Sequence, residues 1–294
     1  MRGAAEPLRS EKLKSLLSAA MLGEPDAAGR DPDVLFDNEL DRVSGLPGPR
    51  PNLPLLKALG AEVGARGAEA DAYVEVLCAA RKMARVFIGF FALAHRATRG
   101  SERGARPHDP SAVLLLEHAE DVQNERRMAL VAALEDVLAA RGEEALALLL
   151  PHADGYLHLH VLLEAATTSR ALQALKAETT LLAAVEAAYA MIVDAPRAAE
   201  RSQGYRTLRD ALPAQIARAE KRFVGLARWL QDKASTAENP QGRALLDETI
   251  KRLRPQVGDA GAAKLRATFE ASAKPDRDAA RIVAGTRKRS RGRS

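Results

Sequence analysis

The chain has a single cysteine, Cys78, which excludes an intramolecular disulfide and any metal site built on cysteine pairs. That suits a reducing compartment. Aromatic residues make up only 4% of the chain, while alanine and leucine dominate its 47% of apolar residues. Strands draw on β-branched and aromatic side chains, so this scarcity argues against sheets. Long apolar runs are missing too. The longest, residues 86–94, has nine residues where a bilayer needs about 20. The apolar stretch 16–22 is short, broken by Ser18 and flanked by Glu11 and Glu24, unlike a signal peptide. No membrane contact and a cytoplasmic location are therefore expected.

Catalytic signatures are equally scarce. There is no Gly-x-Ser-x-Gly elbow, no Gly-x-x-x-x-Gly-Lys phosphate loop and no Gly-x-Gly-x-x-Gly turn. No cofactor is expected. Cys78 lies in an apolar context and reads as a small buried hydrophobe rather than a reactive thiolate.

What is present favours helices. At 294 residues the chain can bury a sizeable core, and Ala, Leu, Arg and Glu are strong helix formers. The composition predicts an all-α protein, an irregular multi-helix bundle or stacked antiparallel helix pairs. The absence of a fixed repeat of about 30–45 residues weakens a regular solenoid. Asp31-Pro32, Asp109-Pro110 and Asn239-Pro240 each set a capping side chain before a proline at the first helical position. Helices are expected near 68–98, 110–141, 154–170, 171–194, 205–235, 241–254, 258–273 and 276–285. Residues 45–54 hold four prolines and two glycines and are expected to form a non-helical linker. The chain divides into an N-terminal helical arm with that linker (1–50), an acidic helical body (51–204), a basic helical segment packed on it (205–284) and a disordered basic tail (285–294).

Two stripes each contain one charge. On 110–141, Leu115, Ala119, Val122, Leu130, Ala133, Leu134 and Val137 align, with Arg126 among them. On 171–194, Leu172, Leu175, Leu182, Ala190 and Val193 align around Glu186. An unpaired buried charge is prohibitive, which motivates an Arg126–Glu186 pair. The alternative is an Arg126 at the stripe's edge reaching water.

Metal chemistry has two weak footholds. Glu117, Glu120, Asp121 and Asn124 share one face of the expected helix, but no glutamate has a histidine three residues on, as di-iron bundles require. His158 and His160 would point apart on a helix, whereas His160 and Glu164 share a face at i, i+4. These five residues (Glu117, Glu120, Asp121, His160, Glu164) form the alternative, an all-helical enzyme with a scattered carboxylate–histidine site. Both groups are placed opposite the apolar stripes, so solvated faces are the plainer reading. The spacing Asp31, Asp33, Asp37 fails as a calcium loop, because Leu35 and Phe36 stand where an oxygen ligand and a glycine are needed.

Charge is the strongest signal. Residues 1–204 carry 23 Lys/Arg against 29 Asp/Glu, and residues 205–294 carry 21 against 10. Along 205–235, Tyr205, Leu208, Leu212, Ile216, Ala219, Phe223, Leu226 and Leu230 make an apolar stripe flanked by Arg218, Lys221, Arg222, Arg228, Trp229 and Lys233. Arg287, Lys288, Arg289, Arg291 and Arg293 follow at the tail. Basic residues around an aromatic suit phosphate contact and stacking on a base. The expected function is a non-enzymatic binding or scaffold protein. Its basic third engages nucleic acid or another polyanion without reading sequence, and its helical surface meets protein partners. A solubilising tail, a tail docked on the acidic body and a purely structural assembly subunit are the competing readings.

Overall fold

A computed structural model describes residues 11–99, 110–121, 123–236 and 239–271. The expected tail 285–294, with Arg287, Lys288, Arg289, Arg291 and Arg293, the helix 276–285 and the cap Asp109 lie outside the described residues. Those described form fourteen α-helices, four short 3-10 turns and no strand, so the fold is all-α. In order these are α1 (Glu11–Leu22), α2 (Pro32–Val43), α3 (Leu53–Gly64), α4 (Asp71–Ala79), α5 (Met83–Arg99), α6 (Ser111–Glu117) and α7 (Asn124–Arg141). They continue as α8 (Glu143–Leu149), α9 (Tyr156–Ala166), α10 (Ser169–Ala174), α11 (Thr179–Val193), α12 (Gln203–Glu220), α13 (Gly225–Thr236) and α14 (Pro240–Ala271). None of them is long and apolar enough to cross a membrane.

Two helices are buried almost all round. The apolar run 86–94 forms the centre of α5, and α3, α4, α6 and α7 pack around it. Helix α3 lies so close that a Cβ on Gly60 would stand 2.5 Å from Phe91 Cβ and 2.9 Å from the Ile88 carbonyl oxygen. Helix α9 is the second centre, packed on α7, α11 and α12. Helices α12, α13 and α14 stack on one another, and one apolar cluster runs from Leu13 through to Leu265.

The cap chemistry places its helices. Asp31 accepts from the Asp33 amide to start α2, and Asn239 accepts from the Gln241 amide to start α14. The same device corrects the linker. Asn52 accepts from the Leu55 amide, so Leu53 and Pro54 open α3 instead of continuing a non-helical spacer. Asn52 also donates to the Val43 and Ser44 carbonyls, which ties α3 to the end of α2. Arg85 of α5 is buried and donates to Asp37 at 2.5 Å and Asp33 at 2.7 Å, holding α2 against the centre.

Several expected long helices are divided. The 110–141 helix breaks after Glu120, where Asp121 turns extended (φ −64°, ψ 126°) and its carboxylate caps the Gln123 amide. A local side-chain bond here competes with the helical ladder. Helix 68–98 breaks at Ala80, and 171–194 breaks at Leu175 (ψ 124°). The expected break between 241–254 and 258–273 is present: α14 is two helical stretches that meet at Gly258, whose φ of 72° and ψ of 173° only glycine adopts easily. Helix α12 continues through Pro213 without restarting.

Candidate polyanion interface

The expected helix 205–235 is divided: Arg218 lies on α12, Lys221 and Arg222 follow its end, and Arg228, Trp229 and Lys233 lie on α13. The apolar stripe of α12 is as expected: Tyr205, Leu208, Leu212, Ile216 and Ala219 are fully buried. With that face committed, Arg218 is turned towards α9 and the short loop before α10. Its Nη2 donates to Glu164 Oε2 at 2.6 Å, and its Nε and Nη2 reach Thr167 Oγ1 at 3.2 and 3.1 Å. Beside it the buried Gln215 donates to Glu164 Oε2 at 3.0 Å and to the His160 carbonyl at 3.1 Å.

This corrects the reading of His160 and Glu164 as a solvated pair. Helix α9 is apolar around most of its circumference, so no face of it is simply the outer one. Helix α12 covers the His160–Glu164 side. Burial pushes the His160 imidazole below its ordinary range, against the opposing pull of Glu164. Glu164 is spent on Arg218 and Gln215. The acidic face at 117–124 dissolves as well, because the break at Asp121 separates its members, and Asp121 meets Arg126 at 3.2 Å and accepts from Arg127 at its carbonyl. Among the described residues no three His, Cys, Asp or Glu side chains gather as metal ligands, so Glu117, Glu120, Asp121, His160 and Glu164 do not form one ligand set.

The Arg126–Glu186 pair is also overturned. Arg126 turns to the free carbonyls at the end of α4, donating to Ala80 at 2.6 Å and Cys78 at 3.5 Å. Glu186 accepts instead from Trp229 Nε1 at 2.7 Å and Lys233 Nζ at 2.5 Å. The Trp229 ring meets Tyr189 edge-on at 5.6 Å, and Lys233 lies over the Tyr189 ring at 5.5 Å. The Trp229 edge and the Lys233 charge are therefore engaged inside the protein, which removes both from the expected stacking site.

Three cations remain available. Lys221, Arg222 and Arg228 are exposed, and no side chain among the described residues pairs with them, though Arg222 lies over its neighbour Phe223 at 5.6 Å. Many cations elsewhere are paired, although Arg50, Arg81, Arg99, Arg197 and Arg201 are exposed without a hydrogen-bond or ion-pair partner among the described residues. Lys57 and Arg170 meet Asp136, Arg96 meets Asp71, and Arg141 meets Glu144. On α14, Lys251, Arg252 and Arg254 pair with Asp247, Glu248 and Asp259.

Lys221 and Arg222 also rim a cleft of about 390 Å³ whose walls include Arg218, Thr167, Ser169 and Gln173. The α10 loop residues are a contribution that the sequence did not point to. They lie some fifty positions before Arg218, and only the packing of α9 on α12 brings them together. Cys78 is buried, which pushes its thiol up to about 12, leaving no thiolate for chemistry. No known protein family, curated protein or solved structure matches this chain.

Proposed function

We propose that the protein is a helical binding protein that holds a nucleic acid, or another phosphate-bearing polyanion, by sequence-independent electrostatics, in the cytoplasm. The observation that carries this reading is the clustering of exposed, unpaired cations at the junction of α12 and α13. Many cations of the acidic body are taken by ion pairs and carbonyl contacts and its exposed ones, such as Arg81, Arg99 and Arg197, are scattered along the chain, while the end of α12 and the start of α13 leave Lys221, Arg222 and Arg228 exposed and unpaired within eight residues, among the described residues. Exposed cations that meet phosphate release counterions, which gives affinity that falls steeply with salt. Arg287, Lys288, Arg289, Arg291 and Arg293 extend the same charge along the sequence. Among the described residues no exposed aromatic accompanies them, and the expected contact is with phosphates rather than base edges.

The test is binding of labelled single- and double-stranded oligonucleotides at about 50 and about 200 mM salt. The full chain is compared with one ending at Thr286. Affinity that drops by an order of magnitude or more with salt, and drops further on truncation, supports the reading. An absence of binding at low salt removes nucleic acid as the ligand.

A further inference from the structure

The cleft between the α10 loop and α12 is more than a continuation of the basic surface. It is concave, about 390 Å³ in volume, and its donors are of mixed kind. That volume lies at the small end of ligand pockets, enough for a mononucleotide-sized group but not for a duplex.

Its charge is specific. Arg218, Lys221 and Arg222 contribute three positive charges and Glu164 one negative, leaving two. A phosphate monoester carries about −1.5 to −2 at neutral pH, whereas an internal phosphodiester carries a single charge. The cleft therefore balances a terminal phosphate and overbalances an internal one.

Its central donor is held ready. Thr167 takes the Nε of Arg218, and Glu164 and Thr167 take Nη2, which fixes the plane of the guanidinium. Nη1 has no hydrogen-bond partner among the described residues, so both its protons are open to a ligand oxygen. A fork fixed before the ligand arrives loses less rotamer freedom on binding. Ser169 and Gln173 are exposed along the opposite wall, and Lys221 and Arg222 at the rim are the cations already assigned to the polyanion.

We infer that this cleft seats one terminal phosphate, the monoester at the 5′ end of a nucleic-acid strand, on Arg218 Nη1 with Lys221, Arg222 and the Ser169 hydroxyl. The inference rests on the polyanion reading and sharpens it: the strand runs along Lys221, Arg222 and Arg228, and its end is held in the cleft. Glu164 acts as a brake, positioning Arg218 while repelling the incoming dianion.

The experiment uses the full chain and two single-stranded oligonucleotides of one sequence, with a 5′-phosphate or a 5′-hydroxyl, titrated at low salt. The expected result is a preference of about tenfold for the 5′-phosphate, as one charge-assisted bond supplies. Arg218→Gln should abolish the preference. Glu164→Gln should enlarge it several-fold, a gain that loss of folding cannot imitate. Equal, salt-sensitive binding of both oligonucleotides overturns the cleft inference and leaves the electrostatic reading intact. Binding of neither overturns both. Inorganic phosphate binding as tightly as the phosphorylated strand would also overturn it, making the ligand a small phosphate compound.

Discussion

Trp229 donates its indole Nε1 to Glu186 Oε2 at 2.7 Å, so the chain's one tryptophan ties α13 to α11. Lys233, one turn on, meets the other oxygen of the same carboxylate. Together the three side chains make a joint between the acidic body and the basic segment, and Glu186 is its shared acceptor.

That joint gives the first prediction. Glu186→Ala should destabilise the fold by about 1–2 kcal/mol in urea unfolding, because two charge-assisted bonds lose their acceptor at a half-exposed site. Trp229→Phe should leave oligonucleotide affinity within about twofold. Stacking on a base is worth about 1–3 kcal/mol, so a larger loss would return Trp229 to the interface.

Packing at the first centre gives the second. Gly60→Ala sets a methyl group 2.5 Å from Phe91 Cβ and 2.9 Å from the Ile88 carbonyl oxygen, and backbone cannot rotate away as a side-chain tip can. The expected loss is about 1–3 kcal/mol of unfolding free energy. Unchanged stability would mean that α3 does not approach α5 this closely.

The third concerns pH. Burial pushes His118 and His160 below their ordinary value of 6.5. His118 faces Glu117, Asp121 and Arg126, and His160 faces Glu164, Arg127 and Arg218. Both imidazoles fold neutral, so the unfolded chain binds more protons as pH falls through about 6.5, and stability present above that pH is lost below it. The urea midpoint should fall between about pH 7.5 and about pH 5.5, and His118→Gln with His160→Gln should flatten that fall.

Glu220 carries the opposite sign. Burial alone pushes its carboxyl up from 4.5, so the folded state prefers it neutral. Its stabilising share is complete below pH 4.5 and is lost as pH rises through the folded value. Glu220→Gln should therefore raise the unfolding free energy at neutral pH, by under about 1 kcal/mol, with a higher urea midpoint, and change both little at pH 4. A midpoint that falls at neutral pH would show that the carboxylate has a compensating partner.

The sequence reveals the fold class and the inward face of α12, since a composition rich in alanine and leucine and an unbroken stripe from Tyr205 to Ala219 leave little choice. Helix breaks are where it misleads. A stripe traced across Leu175 carries the wrong phase into α11, whose buried face is Leu181, Ala184, Val185, Ala188 and Ile192 rather than Leu182, Ala190 and Val193. Glu186 then lands on the flank that α13 covers. Likewise Asp121 ends a helix by a bond to its own neighbour, and no periodicity announces that. The cations of the proposed interface are legible as charge. Which of them are free is not, because Glu164 and Glu186, both distant in sequence, decide it.

The most direct test of the central claim is the slope of log affinity against log salt for a single-stranded oligonucleotide. The full chain is compared with the Lys221→Ala, Arg222→Ala, Arg228→Ala triple variant. These exposed side chains have little to do with folding, so the variant should unfold as the parent does. Each lost phosphate contact should reduce the slope by about 0.7, so a decrease of about 2 is predicted. An unchanged slope in a well-folded variant would contradict the account and move the interface elsewhere on the molecule.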